Sequence, residues 1–225
     1  EGEICKVSAN MMLHGFLVDA THLRNIIRET APKIVELEKD IIKLAGIEFD
    51  VNSPHQTSKV LFVTLKIPTE NIPRTPTGKI STKAQVLDLL GDVHPIAPML
   101  RKHRKMVKLV SMVKSIVEEH IDTDGRVRSN FLQMNARTSR YSSRNPNSQN
   151  LHKFPWNGVR KAIIAAEKKV LIQADISQVE LRLMAWKSED ERLLHAYANN
   201  EDVHQQTADL LGCSRFLGKT VNFAL

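Results

Sequence analysis

The stretch Val170-Leu-Ile-Gln-Ala-Asp-Ile-Ser-Gln-Val-Glu-Leu-Arg182 changes pattern midway. An apolar run ends on a carboxylate, Asp175, and a polar turn follows. The patterning predicts a buried strand over 169–175 and a helix over 177–186. A strand end fixes an acid rigidly, and a helix start tolerates anions nearby. That junction suits metal-assisted phosphate chemistry, with Glu180 and Arg182 within two turns of the acid. The plainer alternative is an acid that caps the helix after it.

Working outward, helices are expected over 190–198 and 202–211, with another beginning at 214. Upstream, Asp122-Thr-Asp-Gly125 signals a turn, and the alternation from Arg126 to Gln133 reads as a strand or hairpin arm. Residues 135–150, rich in Arg, Ser and Asn, read as a loop. A basic helix is expected over 95–118. It carries Arg101, Arg104, Lys105 and Lys108 on one face and Met106, Leu109, Val110, Val113 and Ile116 on the other. Such a run is either a solvated face or a ridge that tracks phosphates. Residues 8–46 read as a long helical arm, interrupted at Gly15 and Asp19. Ser53 and Pro54 mark a helix start, and that helix is expected to run to about Leu65. Pro68, Pro73, Pro76 and Gly78 make 67–80 a loop, and a short helix follows from Ser81 to about Gly91.

The bulk properties set limits. The chain has 225 residues, is 42% hydrophobic, and carries a net charge of +7; its pI is about 9.5. It is long enough to bury a core and to form more than one lobe. The basic balance fits a polyanionic partner or simply a basic protein. Cys5 and Cys213 are far apart without metal-ligand spacing, which argues for a reducing interior and against a disulfide framework or zinc site. No apolar run reaches membrane-spanning length. The start at Glu1 and the stop at Leu225 within a helical pattern make a truncated chain the expectation.

Four ordered segments resemble the family A DNA polymerases, the bacterial polymerase I group and its phage relatives. Ala174-Asp-Ile-Ser-Gln-Val-Glu-Leu-Arg182 resembles the family's motif A. Thr138-Ser-Arg-Tyr-Ser-Ser-Arg-Asn-Pro-Asn-Ser-Gln-Asn150 resembles the segment that grips the primer–template. Asp202-Val-His204 and Arg215-Phe-Leu-Gly-Lys219-Thr-Val-Asn-Phe223 are similar to fingers segments, the latter to the opening of motif B. A weaker similarity covers Gly46-Ile-Glu-Phe-Asp-Val-Asn-Ser-Pro54 and the Arg104–Lys108 region. Four motifs in order are more specific than any single one.

The resemblance implies an α+β, predominantly helical, partial right-hand polymerase fold. Its helical thumb would span 1–118, part of the palm sheet 119–187, and the first fingers helices 188–225. The implied activity is template-directed DNA synthesis, in replication or repair, with two magnesium ions about 3.5–4 Å apart assisting nucleotidyl transfer. Asp175 is the implied catalytic and metal-binding carboxylate, joined by the backbone carbonyl of Ile176, where the family usually has Tyr. Nucleotide binding falls to Ser177, Gln178, Glu180, His204, Arg215, Lys219 and Phe223. Glu180 would exclude a ribose 2′-hydroxyl, or else form a helix salt bridge. Phe223 would stack on the base, or else belong to the core of an ordinary amphipathic helix. DNA contacts fall to Arg140, Asn147, Gln149 and Asn150, with Arg104 and Lys108 on the thumb and hydroxyls of Ser142 and Ser143 in support. Minor-groove acceptors look nearly alike for all pairs, so donors there test pair geometry without reading sequence.

The sequence departs from the family at several points. Ser139 replaces a Gly, Ala224 a Gly, and His152 a frequent Pro. The link between His204 and Arg215 is short, in the phage manner. The second metal-binding acid, in motif C, and the Tyr-Gly that continues motif B are absent. The expectation is therefore a fragment inactive by itself. The alternatives are a non-catalytic primer–template module, or one half of a split enzyme completed by a second chain. The expected partners are primer–template DNA and deoxynucleoside triphosphates, with no membrane. The expected location is the cytoplasm of a bacterial or phage-infected cell, with an organelle left open.

Overall fold

The computed structural model describes residues 2–70, 72–75, 77–151 and 158–224. Glu1, Pro76, His152 and Leu225, on which expectations fell, lie outside them. The chain divides into two compact units, Glu1–Leu171 and Ile172–Leu225. The fold is predominantly helical α+β, with two small antiparallel sheets among the described residues.

The first unit is organised by two long helices, α2 (Ala20–Ala45) and α5 (Ile96–Ser115). Asp19 caps α2 by accepting from the His22 amide at 2.9 Å, which satisfies one of the donors that every helix start leaves open. The interruption expected at Gly15 and Asp19 separates α1 (Gly2–His14) from α2, with strand β1 (Phe16–Leu17) between them. Gly15 has φ +57°, and a Cβ there would collide with the Val127 carbonyl oxygen, so the turn and the close approach both require glycine. β1 pairs with β2 (Arg126–Val127). Arg126 and Arg128 donate to the open carbonyls of His14 and Leu13 at the end of α1. Arg128 also grips Asp122 and Asp124 of the expected turn, and that guanidinium holds the Asp124 carboxyl down to about 2.

The α2–α5 pair buries two apolar clusters. Ile41, Leu61, Val86, Leu87, Ile96 and Leu100 gather beside α3 (Pro54–Lys59) and α4 (Ala84–Leu89). Leu23, Ile26, Leu109, Val113, Ile116 and Val127 gather toward the β1–β2 sheet. Each such side chain contributes roughly 1.5–3 kcal/mol on burial. As expected, Ser53 caps α3 and Pro54 opens it; a π-helical turn, Val60–Thr64, carries the helix on. A similar turn, Ile116–His120, extends α5.

The stretch 135–150, expected as loop, contains strand β4 (Ser142–Arg144), paired with β3 (Asn130–Leu132), and a 3-10 turn, Ser148–Asn150. A three-residue polar strand carries no periodic signal, because its pairing is long-range.

The strand expected over 169–175 is absent. Residues 169–176 form no helix or ladder among the described residues, and Val170, Leu171, Ile172 and Ile176 are 80%, 60%, 87% and 72% exposed. A ladder needs a neighbour, and the described chain offers this run none. The second unit has four helices among its described residues: α6 (Val179–Ser188), α7 (Glu191–Ala198), α8 (Val203–Leu211) and α9 (Arg215–Ala224). Among the described residues no helix is long and apolar enough to cross a membrane.

Candidate functional site

The densest grouping of expected site residues sits on α8 and α9. Asp202 caps α8 through one carboxylate oxygen, accepting from the amides of His204 and Gln205 at 3.0 and 3.1 Å. Its other oxygen accepts from Arg215 Nε at 2.7 Å, which fixes the start of α9 against that of α8. The Arg215 guanidinium keeps the Asp202 carboxyl below its usual range. Gly218 lets the helices close: a Cβ there would meet the His204 carbonyl oxygen at 2.5 Å. His204 is buried, 5.6 Å from the Phe223 ring centroid, and Lys219 Nζ lies 5.9 Å from the same ring. The structure thus brings His204, Arg215, Lys219 and Phe223 together, with Arg215, Lys219 and Phe223 exposed.

His204 stands behind this surface rather than on it. Burial lowers its pKa, and the cations Arg215 and Lys219 add to that against the opposing pull of Asp202, so the ring is neutral near pH 7. Asn222, which the sequence reading passed over, orients the ring. Its carboxamide oxygen lies 3.0 Å from the Thr207 hydroxyl, and its nitrogen 3.0 Å from His204 Nδ1. The available signal was spacing: Asn222 lies three residues beyond Lys219, on a neighbouring part of the helix face. Chemically, the cluster offers a guanidinium fork, an ammonium and an aromatic face, a set suited to a polyphosphate joined to a planar base.

The motif A residues are placed differently from expectation. Asp175, Ile176, Ser177 and Glu180 are exposed, and α6 begins at Val179 rather than Ser177. Gln178 precedes it with φ +53°, and its side chain accepts from the Tyr197 hydroxyl at 3.1 Å. Arg182 lies over the Tyr197 ring at 4.5 Å and donates to the Ser177 carbonyl at 3.0 Å. Among the described residues no group of three or more His, Cys, Asp or Glu side chains gathers to hold a metal ion. One exposed carboxylate with a backbone carbonyl does not fit a pair of magnesium ions, which require several oxygen ligands in octahedral geometry.

In the first unit, Lys108 faces a groove shared with His120, Asn147, Gln149 and Asn150. Ser143, nearly buried on β4, donates to Asn147 Oδ1 at 3.0 Å and accepts from the Gln149 amide at 3.3 Å. Arg140 lies at the entry to the hairpin strand, directly after Ser139, whose φ is +55°. The basic face of α5 is divided. Arg101 bonds Asp88 of α4 at 3.0 Å, and Arg104 donates to the Thr82 carbonyl, whereas Lys105 and Lys108 are exposed. Arg104 therefore lines a separate cleft with Lys59, Arg74, Lys79 and Lys83. The four cations of the α5 face are thus not equally available, since Arg101 is met by an acid of another helix.

Comparisons with known proteins bear on this arrangement. The sequence model of DNA polymerase family A matches residues 20–225. The chain is 38% identical over 237 aligned residues to DNA polymerase I of Caldicellulosiruptor bescii, covering all of this chain. It is 35% identical over 238 to the thermostable DNA polymerase I of Thermus aquaticus, again over its whole length. The chain spans 28% of the length of each of these two relatives. Among solved structures it is similar to the POL domain of Pol1 from M. smegmatis in complex with DNA primer-template and dNTP. The TM-score is 0.86 at 28% identity, over 97% of this chain and 40% of that one.

Proposed function

This chain belongs to DNA polymerase family A, and on that premise we propose that it forms the thumb (1–118), part of the palm (119–187) and the start of the fingers (188–225) of a DNA-directed DNA polymerase. The observation that carries the reading is the α8–α9 cluster. Lys219 lies beside the exposed Phe223 and Arg215 stands two turns before it on α9, a seat for the triphosphate and base of an incoming deoxynucleotide. Arg215 approaches with its terminal nitrogens while its Nε stays on Asp202. His204 supports the Phe223 ring from behind. Lys108, Arg140, Asn147, Gln149 and Asn150 hold the primer–template, with Arg104 as a further cation on the thumb. The primer–template and dNTP named for the M. smegmatis structure support these partners. The compartment in this reading is cytoplasmic.

Magnesium would supply activation of the primer 3′-hydroxyl and neutralisation of the departing pyrophosphate. Asp175 and the Ile176 carbonyl are the residues of this chain that contribute toward it. Their donor set is incomplete alone, so the remaining ligands come from outside these 225 residues, in the same polypeptide or a second chain. The lone carboxylate also gives weight to a second reading, a primer–template module or half-enzyme without chemistry of its own. The experiment compares two settings. The 225-residue chain by itself binds primed DNA, with affinity falling steeply as salt rises, and does not extend the primer. Completed with the rest of a family A palm and fingers, it extends primers, and Asp175→Ala lowers the rate at least about a hundredfold while binding persists. Unchanged synthesis in that variant refutes the catalytic role and favours the module.

A further inference from the structure

We propose that Tyr141 is a positioning residue, one that locks the loop carrying Arg140, Asn147 and Gln149 to helix α1; the proposal rests on the primer–template reading above. No side chain role falls to Tyr141 in that reading. The structure gives its hydroxyl a closed set of partners from distant parts of the chain. Tyr141 Oη lies 2.6 Å from Ser8 Oγ, and Gln133 Nε2 donates to both, at 2.9 and 3.1 Å.

Ser8 Oγ also lies 2.8 Å from the Ile4 carbonyl of its own helix. With the Ser8 proton on that carbonyl, the phenol donates to Ser8 Oγ. Gln133 Nε2 faces both oxygens from one side and donates into the pair. The three side chains bond one another across α1 and the hairpin, and Ser8 is the one buried residue described on α1.

The lock reaches the groove through the main chain. Gln149 Nε2 donates to the Tyr141 carbonyl at 3.1 Å, and the Gln149 amide is held by Ser143 Oγ. One of the two carboxamide protons of Gln149 is thus fixed on Tyr141, which leaves the second for an acceptor on the minor-groove edge. Tyr141 sets the place of that donor by holding its own backbone still. A groove contact that judges base-pair shape depends on such placement more than on strength.

The test uses the whole 225-residue chain and a fluorescent primer–template whose primer end is either paired or mispaired, read by anisotropy at fixed salt. The wild-type chain binds and prefers the paired end. Tyr141→Phe keeps the ring, loses the lock, and weakens binding to the paired end by about five- to tenfold. It also lowers the preference between the two ends, a readout that a purely structural bond would not move. Gln149→Ala does the same, and the double variant loses no more than Gln149→Ala alone. Ser8→Ala attacks the lock from α1 and gives the same result, so the test survives a phenylalanine variant that fails to fold. Equal preference in wild type and Tyr141→Phe, or additive losses in the double variant, overturns the positioning role and leaves the polymerase reading standing. A wild-type chain that ignores primed DNA overturns both.

Discussion

Ser139 shows how one side chain can act against its own backbone. Its φ of +55° lies in the left-handed region, where a Cβ costs roughly 1–2 kcal/mol. Ser139→Gly relieves that cost and gives back part of it as chain entropy, for an expected net gain of about 0.5–1 kcal/mol in urea unfolding. An unchanged or lower midpoint would show that the turn is not strained. The departure at this position was legible in the sequence, but its consequence was not, since no residue pattern reports φ. Tyr141 was hidden for a different reason. Its partners Ser8 and Gln133 lie 133 and 8 residues away, and a hydrogen bond between α1 and a hairpin leaves no periodic trace. Asn222 escaped notice because it serves His204 rather than facing solvent.

The helices were legible wherever their ends carry local chemistry. Asp19, Ser53, Asp190 and Asp202 each accept from an amide of the first turn, and each helix starts where its cap stands. The exception is α6, whose expected start at Ser177 moved to Val179 because Gln178 takes a left-handed conformation and caps nothing. Strands were less legible, since a strand exists only with its neighbour: β4 formed from polar residues, and the apolar run before Asp175 formed none. The contact between α8 and α9 yields a prediction of unusual sign. Gly→Ala inside a helix ordinarily stabilises by about 1 kcal/mol. At Gly218 the added Cβ meets the His204 carbonyl oxygen at 2.5 Å and the Ala208 nitrogen at 2.9 Å, so the helices must separate. Gly218→Ala is expected to lower stability by a net of about 1–2 kcal/mol, measured by thermal unfolding. A stabilised variant would show that this packing is looser than described.

Across the molecule, pH is expected to act through histidines buried neutral. His103 sits on α5 within the first unit, its side chain 0% exposed, with Nε2 3.5 Å from the Glu38 carboxylate of α2. Burial lowers its pKa from 6.5, Glu38 opposes that, and Arg104 reinforces it. The unfolded ring takes up a proton below about 6.5 that the folded ring refuses. Stability is therefore full above that pH and is lost as pH falls through it toward the lower folded value. The slope approaches about 1.4 kcal/mol per pH unit in that window. His204 acts in the same direction. Asp124, held at about 2, responds only in much stronger acid. Denaturant midpoints between pH 8 and 5 check this, and His103→Leu flattens the curve. A midpoint indifferent to pH would mean that the ring is not sealed from solvent.

The unpaired run before α6 has one more consequence. From Val170 to Val179 the only charge is Asp175, set among exposed Val, Leu and Ile that join no ladder among the described residues. Segments of this kind stack with copies of themselves, and a single embedded charge keeps them apart. Asp175 is thus expected to act as a gatekeeper against self-association. Neutralising it invites fibril-like aggregates at the high concentrations used for assays. Asp175→Glu retains the repulsion while displacing the carboxylate, and light scattering on the two variants separates lost chemistry from lost solubility.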